Sequence, residues 1–215
     1  MKILELFAGT RSVSRGFERA STENECYTVE WDPQFENITL YDDVAKLTKE
    51  RVIELCGGIP DVIWASPDCT TYSVAAISYH RRKTENGLEP ITPYAKQCDE
   101  TNRHLVALIK ELNPRFWFIE NPRGGMRKMD FVAGLPRYTV TYCQYGDSRM
   151  KPTDIWTNHP DPKFKPPCKN GSPCHAAAPR GSKTGTQGIG THVDRSRIPD
   201  QLADHIAKIC MEQSK

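Results

Sequence analysis

Asp61-Val-Ile-Trp-Ala-Ser-Pro-Asp-Cys69 passes from an almost wholly apolar run into a proline turn and a thiol. A short apolar run without alternation marks a strand covered on both faces, as strands are in parallel sheets flanked by helices. Arg115–Glu120 is a second such run, and it closes in Glu120-Asn121-Pro122. In open sheets of this kind ligands bind beyond the carboxyl ends of the strands. A thiol at one strand tip and a carboxyl at another therefore set a nucleophile and an acid over one crevice. Cys69 and Glu120 are the candidate catalytic pair. A buried structural cysteine is the alternative for Cys69, and the presence of Glu120 tells against it.

Outward from these two runs, strands and helices alternate. Lys2–Phe7 reads as the first strand, Ser12–Ala20 as a helix after a tight turn at Gly9, and Cys26–Glu30 as the second strand. A short third strand ends at Asp43, and a helix follows through about Cys56. Residues 70–97 form a long polar segment containing His80-Arg-Arg-Lys83. Leu105, Leu108, Ile109 and Leu112 fall at helical spacing. Strands are expected near 137–143 and 153–157. Pro199 opens a closing helix with Leu202, Ile206 and Ile209 on one face. The alternation implies an α/β fold with a mainly parallel sheet flanked by helices. Residues 1–157 are expected to form the main domain and 158–197, rich in Pro, Gly, Lys and Arg, a small irregular region. Residues 198–215 are expected to pack back as a helix.

A chain of 215 residues holds one sizeable core with a modest elaboration. Its net charge of +2 hides an asymmetry. Residues 1–113 carry 13 basic and 18 acidic side chains, and residues 114–199 carry 14 and 6. A basic segment after an acidic half points to a polyanionic partner, because Lys and Arg release counterions from phosphates; a basic solvated surface is the plain alternative. No apolar run reaches the ~20 residues of a membrane span. The opening Met1-Lys-Ile-Leu-Glu-Leu-Phe lacks the form of a signal peptide, so the eight cysteines are read as reduced thiols and the protein as cytoplasmic.

The motifs also occur in a known order. Leu4-Glu-Leu-Phe-Ala-Gly9, Glu30-Trp31-Asp32, Asp42-Asp-Val44, Ser66-Pro-Asp-Cys69 and Glu120-Asn-Pro122 resemble the motifs of DNA cytosine-5 methyltransferases, in particular short versions carried by phages. The resemblance covers roughly residues 1–157 and the last helix. It implies a Rossmann-like methyltransferase fold with a small irregular target-recognition region, acting as a monomer on duplex DNA whose target base is flipped out. It places the protein in a bacterial or phage-infected cell. S-adenosylmethionine is the implied cofactor, held by Phe7, Ala8, Gly9, Glu30, Trp31, Asp43, Val44 and Pro67. Glu30 suits a ribose diol, and Trp31 and Asp43 suit adenine; core packing and a helix N-cap are their respective alternatives. The family's motif that orients the base and the acid survives only in outline between Gln144 and Lys151; it carries over Arg149 first, which is assigned to catalysis, and Lys151 second. Ser73, Arg123 and Lys151 are assigned to DNA, with 70–97 as the mobile catalytic loop. Where the family carries a second proline this chain has Asp68, a carboxylate that would raise the thiol's pKa unless turned away or paired.

Cys168 and Cys174-His175 raise zinc, with His159, Cys143 or His192 as a fourth ligand. Their spacing is looser than usual for zinc, so a proline-bounded loop with unligated thiols is preferred and no metal ligand is assigned. Two other functions fit the motifs: the same chemistry on RNA or free cytosine nucleotides, and a DNA-binding relic without activity.

Overall fold

The computed structural model describes residues 1–85, 87–176 and 191–213. Along the chain run β1 (Lys2–Leu6), α1 (Ser12–Ala20), β2 (Glu25–Glu30), β3 (Leu40–Tyr41), α2 (Lys49–Cys56), β4 (Val62–Ala65) and α3 (Ile77–His80). They continue as β5 (Arg81–Thr84), β6 (Gly87–Pro90), α4 (Pro93–Leu112), β7 (Phe116–Pro122), β8 (Arg137–Thr141), β9 (Pro152–Thr157), α5 (His192–Ser196) and α6 (Asp200–Glu212). Seven strands form one sheet in the order β3-β2-β1-β4-β7-β9-β8. The first five are parallel neighbours, and β9 runs antiparallel between β7 and β8. The strand order reverses at β1, the point beyond whose strand ends sheets of this kind bind their ligands.

Residues of both parities on the central strands are buried. Leu4, Leu6, Val29, Ile63, Ala65 and Ile119 join Leu105, Leu108, Ile109 and Leu112 of α4 in one core. Ile3, Val62, Trp64, Phe116 and Phe118 join Phe17 of α1 and Leu202, Ile206 and Ile209 of α6 in the other. Each fully buried side chain of this size contributes about 1.5–3 kcal/mol, which fixes β1 and β4 as the centre of the molecule. The α1–α6 contact is close because Gly16 lies under Ala203; a Cβ there would fall 2.7 Å from the Ala203 carbonyl carbon.

Local chemistry sets the boundaries. Thr48 caps α2 by accepting from the Arg51 N–H at 3.2 Å, and Gly57 ends it at φ 60°. α4 begins with Thr92 as cap and Pro93 in its first turn, and ends at Asn113. The polar stretch 70–97 folds as α3, the β5–β6 hairpin and the first turn of α4. The polar residues responsible are buried. Arg81 makes a two-pronged ion pair with Asp99 at 2.7 and 3.0 Å, and its guanidinium also donates to the Thr71 carbonyl at 2.9 Å. The Tyr72 hydroxyl donates to Asp99 at 2.7 Å and accepts from Asn102 at 2.9 Å. Of the region expected to be irregular, 158–176 holds neither helix nor strand, and 177–190 lie outside the described residues.

Candidate active site

The registers bring four strand tips level. Leu6 pairs with Val29 and Ala65, and Ala65 pairs with Ile119. One residue further on stand Phe7, Glu30, Ser66 and Glu120, all at the same edge of the sheet. Glu120 follows a strand with no alternation and is itself only 4% exposed. The turn carrying Cys69 is tied to it from the next residue, since Asn121 Nδ2 donates to the Pro67 carbonyl at 3.0 Å. The Cys69 carbonyl then accepts from the Tyr72 and Ser73 N–H groups at 3.0 and 2.8 Å, which starts the following turn.

Burial pushes the Cys69 thiol up to about 11; Lys151 pulls it down, while Asp68 and Glu120 push it up further. Burial also raises Glu120, opposed by Lys151 and by hydrogen bonds from the Tyr142 and Ser66 hydroxyls. The Tyr142 bond is 2.8 Å long. Lys151 is the cation that acts on both groups. Burial lowers its pKa, and Glu120 and Cys69 raise it. Its Nζ donates to the Arg195 carbonyl at 2.8 Å and lies 4.5 Å from the centre of the Tyr142 ring. Asp68 is engaged elsewhere, accepting from the Thr70 N–H at 2.6 Å and bonding the Tyr94 hydroxyl.

Arg149 stands apart from the pair. Its guanidinium grips Asp147 and donates to the Asp194 carbonyl at 2.9 Å. Among the described residues it makes no hydrogen bond to Cys69 or Glu120, and Lys151, first assigned to DNA, is the inward-facing cation. Arg123 is exposed just past the end of β7. Ser73 lies half-buried in the turn after Cys69, and of the basic cluster Arg82 and Lys83 are exposed while Arg81 is buried.

At the tips of β1 and β2, the Glu30 carboxylate accepts from the N–H groups of Gly9, Trp31 and Asp32 at 2.9, 3.0 and 3.1 Å. Trp31 is 69% exposed, so it is not a core residue. Asp43 caps a short 3-10 turn by accepting from the Ala45 N–H at 3.0 Å, and Val44 is buried beside it. Phe7 and Gly9 have positive φ, and Phe35 covers Gly9 without crowding it. Ala8 and Pro67 line the same turns and are buried.

A Frog virus 3 protein named "Probable DNA (cytosine-5)-methyltransferase" is 31% identical over 166 residues, 74% of this chain and 71% of the relative. This chain belongs to the DNA cytosine-5 methyltransferase family. No protein-family model matches it. Its fold is that of solved methyltransferases. A candidate DNA modification methyltransferase encoded within an E. coli prophage superposes with a TM-score of 0.53 at 18% identity, and the Entamoeba histolytica methyltransferase EhMeth with 0.52 at 12%. Each match covers 73% of this family member, which spans only 46% and 52% of those two chains.

Four residues of this methyltransferase-family site went unread in the sequence. Tyr142 and Ser66 hold the Glu120 carboxyl, Asn121 holds the Cys69 turn, and Arg81 anchors the segment after it. Asn121 had a signal, its place within Glu120-Asn-Pro122. Tyr142 had none, because it reaches Glu120 only through the pairing of β8 with β9. Among the described residues no helix is long and apolar enough to cross a membrane.

Proposed function

We propose that this chain transfers the methyl group of S-adenosylmethionine to carbon 5 of cytosine in DNA, through a covalent bond between Cys69 and the base. The observation that carries the reading is that the level tips of β4 and β7 bring the Cys69 turn, tied by Asn121 through the Pro67 carbonyl, beside Glu120. S-adenosylmethionine supplies an electrophilic methyl group when bound. The residues at the β1–β2 end fit it: Glu30 offers a fixed carboxylate for a ribose, Trp31 an uncovered aromatic face, and Gly9 a turn without a side chain.

Carbon 5 of cytosine is a poor nucleophile until a thiolate adds to carbon 6. Lys151 favours the thiolate of Cys69. Addition drives an electron pair toward ring nitrogen 3, where Glu120, shifted by burial toward its protonated form, donates a proton. Tyr142 and Ser66 hold the carboxyl in place. Carbon 5, now part of an enamine, would take the methyl group as the sulfonium's carbon–sulfur bond breaks and a neutral thioether leaves. Loss of its proton to solvent re-forms the double bond, expels the Cys69 thiolate and lets nitrogen 3 return its proton to Glu120. A cytosine in a duplex exposes neither face of its ring, so it must leave the stack. Exposed Val74 and Tyr79 on the segment after Cys69 offer apolar surface beside an open base position. Asp68, though bonded to Thr70 and Tyr94, still pushes the thiol up, and Lys151 opposes it.

The test is incubation with labelled S-adenosylmethionine and separate pools of duplex DNA, RNA and cytosine nucleotides. Label in 5-methylcytosine of DNA is expected. Label confined to another pool moves the substrate, and no transfer despite cofactor binding rejects the reading.

A further inference from the structure

We propose that Cys143, Cys168, Cys174 and His175 form a structural zinc site that fastens the segment after β9 to the turn carrying Tyr142. Their ligand atoms all lie within 4.8 Å of one another. Cys143 belongs to the 3-10 turn Tyr142–Tyr145 at the end of β8, and the other three come from the loop after β9. The separation of 25 positions between Cys143 and Cys168 disguises the set in the sequence.

Tetrahedral zinc has Zn–S bonds of about 2.3 Å and Zn–N bonds of about 2.0–2.1 Å, so its ligand atoms stand roughly 3.5–3.8 Å apart. Cys174 Sγ lies 3.6 Å from Cys143 Sγ and 3.6 Å from His175 Nδ1, and Cys168 Sγ lies 3.6 Å from His175 Nδ1. The Cys143–Cys168 sulfur pair is tighter than these three, at 3.1 Å, which is still well beyond the ~2.05 Å of a disulfide, and the remaining pairs lie within 4.8 Å. Three thiols and an imidazole hydrogen-bond one another poorly, whereas around a metal each supplies one lone pair.

The surroundings hold the ligands in place. Gln144 Nε2 donates to Cys174 Sγ at 3.7 Å, and the Cys168 N–H donates to Thr141 Oγ1 at 2.9 Å. The Ala176 N–H donates to the Ser148 carbonyl at 2.8 Å, which fixes the residue after His175. With four protein ligands the site is closed, the form that serves structure rather than catalysis. His159, the other candidate ligand, is buried elsewhere, with Nε2 3.3 Å from the Ile209 carbonyl and its ring against Phe116. The side chain of His192 lies outside the described residues. The assignment of no metal ligand made from spacing is thereby revised. The structural consequence is local: Tyr142, which holds Glu120, adjoins Cys143 in the fastened turn.

The experiment is metal analysis of the full chain purified without chelator, with cobalt(II) titration of the metal-stripped protein as an optical probe. One zinc per chain is expected, and cobalt should give a thiolate-to-metal charge-transfer band of tetrahedral type that zinc abolishes. Cys174→Ala, at an exposed position, should lower zinc affinity by more than about 100-fold, because loss of an outer-shell partner alone costs 10–100-fold. Cys26→Ser, at a cysteine outside the cluster, should leave it unchanged. Zinc-free protein with no cobalt band overturns the proposal, as does a Cys143–Cys168 disulfide found by mass spectrometry. The cobalt titration uses the unaltered chain, so a misfolded variant leaves the test intact.

Discussion

Lys151 sits where two opposite demands meet. Cys69 must lose a proton to attack, and Glu120 must keep one to give; a buried ammonium lowers the pKa of both. Its removal therefore raises both. In kcat/KM, which reports the free enzyme, the two groups define the limbs of a bell-shaped pH profile. Lys151→Met should move both limbs to higher pH and lower the rate at neutrality. A profile with unchanged limbs would mean that Lys151 does not face this pair. The sequence ranked Arg149 ahead of Lys151, because the outline of the family motif carries no information on direction. The turn before β9, with Lys151 at φ 28°, decides which cation faces inward.

At the level of elements, the parallel strands were legible and the segment after Cys69 was not. β1, β4 and β7 announce themselves because burial on two faces leaves an unbroken apolar run. α4 was read only in its second half, from Leu105 to Leu112. Its first half buries Cys98, Asp99 and Asn102, polar or small residues that a hydrophobic period cannot register. Their partners, Arg81 and Tyr72, arrive from the segment just after Cys69. Gly124 is fitted to the same place, since a Cβ there would stand 2.4 Å from the Tyr72 carbonyl oxygen. Removing Arg81 strands a buried carboxylate. Arg81→Met should destabilise the protein by about 3–5 kcal/mol in urea unfolding, and Arg81→Met with Asp99→Leu should recover much of that loss. Equal destabilisation in single and double variants would show that the pair does not act as a unit.

For the molecule as a whole, fold and strand-tip residues follow from one-dimensional patterns, whereas the Cys143–His175 cluster and the Tyr142 contact depend on chain segments meeting after folding. The basic excess of residues 114–199 also changes meaning in three dimensions. Arg127 pairs with Asp154, Arg149 with Asp147, and Lys151 turns inward, while among the described residues Arg123, Lys128, Arg137 and Lys169 stand exposed. DNA affinity should fall linearly on a log–log plot against salt, and Arg123→Glu should weaken binding to all sequences alike and reduce the slope by about 1. Salt-independent binding would place the nucleic acid elsewhere. The central claim is the covalent role of Cys69, and duplex DNA containing 5-fluorocytosine tests it most directly. Fluorine at carbon 5 cannot leave as a proton after methyl transfer, so the base stays bonded to the protein. A denaturation-resistant adduct that needs S-adenosylmethionine and disappears in Cys69→Ser is predicted. Full methyl transfer by Cys69→Ser on ordinary cytosine, with no adduct on the fluorinated duplex, would contradict the account.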